Sequence, residues 1–435
     1  MNIRLFHARI LTMEKHRPVF WGEVWVKDAR IVYIGEADKL KAGMGKDFPE
    51  IRWDREVDCG GNLLMPGFKD AHTHSAMTFL RSYADDVPLQ QWLQEKVFPM
   101  EAKLFWEDIY HFTKLAVLEY LTSGITSVFE MYLTPDAMGQ ACIDMGMRCV
   151  LTSGLNDFTS SVEQQEAEYL KWNKCHPLIS YRLGFHSEYT CSKELLSGVA
   201  ELARKYRAPV FTHLAETEAE VQGCLDRNGM TPAAFLDRLG VFDYGGGGYH
   251  CVYMTHHDME IFKSRGLVAV TNPASNLKLA SGIAPVAEYV RRGIPVAIGT
   301  DGPASNNCLD MFREMFLVSG LSKVREKDAA SLDAEEVLAM ATSEGARAMG
   351  LHDGDILEKG KLADLILIDL HQPNMQPIHN IPKNIVYSGS KANVRMTMIN
   401  GRILYENGNF CLPEGEDAEE IYRKCEGIVK RIIYT

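Results

Sequence analysis

The chain has 435 residues, of which 46% are hydrophobic and 24% charged, and a formal net charge of −12. That length suits one large domain plus a smaller one rather than a single small domain. The acidic balance argues against a general nucleic-acid or anionic-membrane binder, since both need clustered Lys and Arg.

The first residues, "MNIRLFHARILTM", lack the charged region, apolar stretch and small-residue cleavage site of a signal peptide. No apolar run approaches the about 18 residues that a transmembrane helix needs. Ten cysteines are scattered without a C-x-x-C pair, which predicts reduced thiols and a cytoplasmic protein. Cys251, beside a histidine, reads as a packing residue.

The first 60 or so residues hold short alternating runs such as "IRLFHARILTM" and "GEVWVKDARIVYIG". These predict antiparallel strands. The tail repeats the pattern in "ADLILIDL" and "VRMTMINGRILYENG", where Asn400-Gly401 signals a hairpin turn. The two ends are expected to join as a composite β-sandwich domain over residues 1–65 and 355–435.

Between residues 66 and 354 short apolar runs alternate with helical patterns. They are "LLMPGFKDAHTH", "GITSVFEMY", "MRCVLTSGL", "LISYRLGFHSEY", "APVFTHLAE", "GYHCVYMTH", "GLVAVTNPASN" and "IPVAIGTDG". Eight such units predict an α/β fold, a (β/α)₈ TIM-like barrel with a parallel core. A doubly wound open sheet would not require eight. No phosphate-cradling glycine motif opens any of the helices.

Chemistry in such a barrel sits at the C-terminal ends of the strands. His72 and His74 end the first strand, where residues i and i+2 share a face. His213 ends the fifth, with Glu216 three residues on. His250 ends the sixth and Asp301 the eighth. Taken singly, each has an ordinary explanation: a hydrogen-bonded histidine, a solvated carboxylate, a capping aspartate. Taken together, neither packing nor capping demands them. Imidazoles and a carboxylate gathered on one rim suit a divalent metal, Zn²⁺ or Fe²⁺.

"PGFKDAHTH", "HLAE", "HCV" and "GTDGPASNN" resemble the signatures of the amidohydrolase superfamily. The likeness is greatest to the branch of 5′-methylthioadenosine/S-adenosylhomocysteine deaminases and triazine hydrolases, to which "LQQWLQEKVFPMEAKL" and "NPASNLKLASGIAPV" also point. It covers nearly the whole chain. It implies a metal-dependent hydrolase barrel whose single divalent metal is held by His72, His74, His213 and Asp301. It also implies that His250 and Asp301 act on the attacking water and that Asp301 takes its proton. Glu216 then protonates the ring nitrogen beside the attacked carbon. Trp92 would cover a nucleoside and Glu101 accept its ribose hydroxyls, while His186 and Ser305 would touch the nucleoside. Barrels of this family often form homo-oligomers.

The resemblance therefore implies hydrolytic deamination of an adenosine-type nucleoside. One departure qualifies the substrate. Relatives acting on S-adenosylhomocysteine carry arginines after the third strand, but here Ser153 stands where the first is expected. No Arg lies between Arg148 and Arg182, and Lys171 and Lys174 fall well inside the next helix. 5′-Methylthioadenosine, adenosine or 5′-deoxyadenosine is the expected substrate. The alternatives are a hydrolase for a free heterocycle, such as guanine or a chlorotriazine, and a non-catalytic barrel scaffold.

Overall fold

The computed structural model describes residues 1–36, 52–83, 85–88 and 91–433. Leu89 and Gln90, which open the "LQQWLQEKVFPMEAKL" stretch, lie outside the described residues. The chain begins with β1 (Asn2–Ile10), β2 (Phe20–Lys27), β3 (Arg30–Gly35), β4 (Arg55–Asp58) and β5 (Leu63–Pro66). Eight further strands follow: β6 (Phe68–Thr73), β7 (Ile125–Tyr132), β8 (Arg148–Ser153), β9 (Ile179–Ser187), β10 (Val210–Leu214), β11 (Gly246–His250), β12 (Val268–Thr271) and β13 (Val296–Ile298). β14 (Leu365–Ile368), β15 (Val394–Ile399), β16 (Arg402–Glu406) and β17 (Asn409–Phe410) complete the set.

β6 to β13 pair in chain order, all parallel, with helices between them. This is the eight-unit barrel that the alternating pattern predicts. β6, β7 and β8 are buried along their whole length, as strands covered on both faces must be. That explains why these runs are continuously apolar rather than alternating.

The ring closes between β13 and β6 by loop contacts just beyond the strand. The Asp301 amide donates to the His72 carbonyl at 2.9 Å. The Thr300 amide donates to Asp70 Oδ1 at 2.8 Å. Gly299 permits this approach, since a Cβ there would lie 2.7 Å from the His72 carbonyl oxygen. The seam thus sets the first-strand histidines beside the eighth-strand aspartate.

The two chain ends build one separate nine-stranded sheet, joined where β5 runs antiparallel to β14. Its own core includes Leu5, Val24, Leu64 and Met396. The sheet is mixed rather than wholly antiparallel, because β1 pairs in parallel with both β4 and β5. Short alternating strands look alike in either direction, so the pattern alone could not show this. Asn400-Gly401 forms the expected β15–β16 turn, with φ of 52° and 73°. The final helix, Ala418–Ile433, leans on the barrel instead of this sheet: Arg431 pairs with Asp108, and Cys425 Sγ donates to the His111 carbonyl. Among the described residues no helix is long and apolar enough to cross a membrane.

Candidate active site

The strand ends bring the separated histidines together. His72 Nε2 lies 3.6 Å and His74 Nε2 3.2 Å from Asp301 Oδ1. His213 Nε2 lies 3.3 Å from His74 Nε2. His250 belongs to the same group, with a ring nitrogen within 4.8 Å of those on His72 and His213. Its Nε2 is 3.9 Å from Glu216 Oε2. Asp301 and His250 have φ of 59° and 71°, in the left-handed region that ordinary residues avoid. Such strain persists only where surroundings enforce it, and it gathers at functional sites.

The surroundings aim each donor inward. His213 Nδ1 is 2.8 Å from the His186 carbonyl, and His74 Nδ1 meets the Met131 carbonyl. A carbonyl accepts only from N–H, so both rings carry hydrogen on Nδ1 and turn Nε2 to the centre. Asp301 Oδ2 accepts from Ser275 Oγ, and from Ser305 Oγ at 2.8 Å, leaving Oδ1 to face the imidazoles. His72 stacks on Tyr249 with centroids 3.7 Å apart.

Burial, reinforced by neighbouring imidazoles, holds His72 and His213 well below the usual histidine range. Burial alone would raise the Asp301 carboxyl. The His74 ring, with His250 and His72, reverses that and keeps it ionised. Against burial, Asp301 and the Met131 carbonyl in turn raise His74 to about 9. The set is imidazole nitrogens and one carboxylate oxygen. His72 is fully buried, yet neither of its ring nitrogens has a hydrogen-bond partner. Such an orphan is costly unless something at the centre engages it. A divalent cation fits this donor set and would engage His72.

A cavity of about 580 Å³ opens above the cluster. Trp92, Glu101, His186, Glu216, His250 and Ser305 all line it. Trp92 lies in the helical turn Trp92–Val97, and Glu101 ends the short helix Phe98–Glu101. Burial raises the Glu101 carboxyl, against the opposing pull of Tyr132 and His74. Burial, with His74 and His250, pushes His186 down to about 4, so its ring is neutral. Ser305 is in the wall, but its hydroxyl is already engaged by Asp301 and Gly302.

Ser153 is buried behind the wall rather than in it; Gly154, Asn156 and Phe158 take that place. No Lys or Arg lines the cavity among the described residues. Lys171 points elsewhere, paired with Asp136 at 2.8 Å.

The pattern of the amidohydrolase family matches residues 63–404. A 5-methylthioadenosine/S-adenosylhomocysteine deaminase from Thermoanaerobacter pseudethanolicus is 36% identical over the whole of both chains. The chain belongs to the amidohydrolase family. A second enzyme of that name, from Moorella thermoacetica, is 40% identical over 92% of this chain and 93% of its own. Among solved structures, a zinc-bound adenosine deaminase from Xanthomonas campestris superposes with a TM-score of 0.92 at 32% identity. That match covers 100% of this chain and 98% of the other.

Sequence reasoning passed over several residues of this amidohydrolase site. Glu130, from β7, accepts from the Ser75 amide at 3.0 Å, and burial raises its carboxyl to about 7. Ser275 holds Asp301, Asn276 meets His250 Nδ1 at 2.7 Å, and Ser281 donates to Glu216 Oε1 at 3.1 Å. The last three sit inside "NPASNLKLASG", a stretch whose polar residues among apolar ones were the available signal.

Proposed function

We propose that the protein hydrolytically deaminates adenosine-type nucleosides, releasing the inosine analogue and ammonia. The observation that carries this reading is a carboxylate pair with different surroundings facing one cavity. Asp301 lies among imidazoles, whereas Glu216 stands off them beside His250. Both are named in the deaminases' resemblance, and the relatives carry deaminase names.

His72, His74, His213 and Asp301 are the proposed holders of one divalent cation, with Zn²⁺ favoured over Fe²⁺ by the zinc-bound relative. Such a cation would supply Lewis acidity, lowering the pKa of water at the site toward about 7. The residues divide the remaining work. Asp301 takes the proton of the attacking water, and His250 orients that water. Glu216 protonates the ring nitrogen beside the attacked carbon. The C–O bond forms, the C–N bond breaks, and the amine leaves as ammonia with the proton Asp301 took from the water; as the new hydroxyl becomes the carbonyl, its proton returns to Glu216. A nucleophile, a base and an acid are thereby supplied. Trp92 covers the nucleoside, His186 and Ser305 bound it, and Glu101 accepts both ribose hydroxyls.

The wall favours small uncharged 5′ groups. A carboxylate entering a cavity without Lys or Arg among its described lining residues would lose hydration without gaining a partner. 5′-Methylthioadenosine, adenosine and 5′-deoxyadenosine should therefore exceed S-adenosylhomocysteine in kcat/KM. The change in purine absorbance with each of the four measures this; a clear preference for S-adenosylhomocysteine would refute it. Glu101 separates this reading from a free-heterocycle hydrolase, because only a nucleoside offers it a diol. Metal analysis of the purified protein tests the scaffold reading, which predicts no bound cation and no activity after metal is added. Ten unpaired cysteines support a reducing, cytoplasmic setting.

A further inference from the structure

We infer that the segment 274–281 is the positioning element of this site, and that Asn276 within it fixes the tautomer of His250. The inference rests on the deaminase reading above only for what His250 does, not for the contact itself.

Three groups given chemical roles each take a partner from this one segment. Ser275 Oγ donates to Asp301 Oδ2, Asn276 Oδ1 lies 2.7 Å from His250 Nδ1, and Ser281 Oγ donates to Glu216 Oε1 at 3.1 Å. The segment is closed on itself, since the Ser281 amide donates to the Asn276 carbonyl at 2.8 Å. It is also pinned from outside. Glu314, fully buried, accepts from the Ala274 amide at 3.1 Å and from Asn306 Nδ2 at 2.9 Å. Lys278 Nζ donates to the Ala304 carbonyl at 3.0 Å and to Asp85. The loops after β6, β12 and β13 are thereby held as one body.

Asn276 and His250 are both buried, so their contact is not exchanged with solvent. With Oδ1 as acceptor, His250 carries its hydrogen on Nδ1. Its Nε2 is then a bare acceptor facing the centre, where a water can donate to it. The Asn276 Nδ2 group has no partner, which is the cost of holding the amide this way round. A reversed amide would donate to Nδ1 and place the hydrogen on Nε2, abolishing the acceptor. Asn276 is a positioning residue: it acts on the reaction only through His250.

The test uses the metal-loaded full chain. Ring ¹⁵N spectra, with His250 assigned from a His250→Gln variant, should show hydrogen on Nδ1 in the parent. Asn276→Ala should lose roughly 10- to 100-fold in kcat, the range for partners of functional histidines, with KM and metal content unchanged. Asn276→Asp keeps the acceptor and the shape, and should restore most of kcat. Hydrogen on Nε2 in the parent, an Asn276→Ala variant as fast as the parent or depleted of metal, or an Asn276→Asp variant no better than Asn276→Ala would each overturn the inference. The spectra read the tautomer without any nucleoside. Absence of deamination in the parent would refute the functional reading and leave this contact standing or falling on its own.

Discussion

The barrel buries charge at both ends, and the two ends treat it in opposite ways. At the floor, where the strands begin, Lys69 Nζ donates to the Gly67 carbonyl at 3.0 Å and to Thr126 Oγ1 at 2.8 Å. Arg148 forks onto Asp364, with Nη2 3.1 Å from Oδ1, and the Asn400 amide reaches the same oxygen at 2.7 Å. Lys69, Arg148 and Asp364 each have a partner there, and the Arg148–Asp364 pair joins barrel to end sheet. At the mouth, His72 is as deeply buried and has no hydrogen-bond partner. Imidazole nitrogens of His74, His213 and His250 and the Asp301 carboxylate gather around it. The difference separates stability from function: the floor pairs its buried charges, while the mouth leaves His72 unpaired, as the proposed cation site requires.

The largest test of this contrast removes a proposed mouth ligand. Asp301→Asn should lower kcat/KM by on the order of 10³-fold or more, since it removes both the proposed base and a proposed ligand. Bound metal should fall with it, as elemental analysis would read, while the melting temperature of the metal-free chain changes little. A full metal complement in the variant would break the assignment.

Glu216→Gln comes next. It removes the proposed acid but none of the four proposed ligands, so kcat should fall by roughly 10²- to 10⁴-fold. Metal content should stay at the parental level. Equal loss of metal would move Glu216 from the chemistry to the binding of the ion.

At the floor the expected effect is on folding. Arg148→Met strips Asp364 of its partner and leaves a buried carboxylate, a loss of about 3–5 kcal/mol. Denaturant titration should show this, while steady-state activity of the folded fraction stays near the parent's. A variant that keeps its stability but loses kcat would erase the distinction between the two ends.

The smallest effect concerns Lys69, whose pKa burial lowers to about 8 from 10.5. The folded state then binds fewer protons than the unfolded one between those values, so this group's contribution to stability improves as pH rises. Its penalty is full below about pH 8 and gone above about 10.5. The stability advantage of Lys69→Met over the parent should shrink by about 3 kcal/mol or less between pH 7 and 10. Urea titrations at the two pH values measure the change, and an advantage that grows with pH would contradict the sign.

Much of this was legible in the chain itself. Eight apolar runs separated by helical patterns announce the barrel, because parallel strands must be apolar on both faces. The positions of His72, His213, His250 and Asp301 were readable because each follows directly on such a run. Glu130 and Lys69 were not, since a single charged residue inside an apolar run carries no mark of which barrel end it faces. Nor was the parallel pairing of β1 with β4 and β5, because alternation has the same period in either direction.

The sequence by itself determined the residue types, their strand-end positions and the acidic, cysteine-scattered character of the chain. Those depend on local periodicity, which any short window records. Only the tertiary structure decided that the Asp301 amide closes the ring onto the His72 carbonyl, and that Ser153 lies behind the cavity wall. It also decided that one segment near residue 276 holds partners of Asp301, His250 and Glu216. The physical reason is that hydrogen-bond partners are chosen by distance in space. Closing the barrel brings together groups more than two hundred residues apart along the chain, and no local pattern encodes which of them will touch.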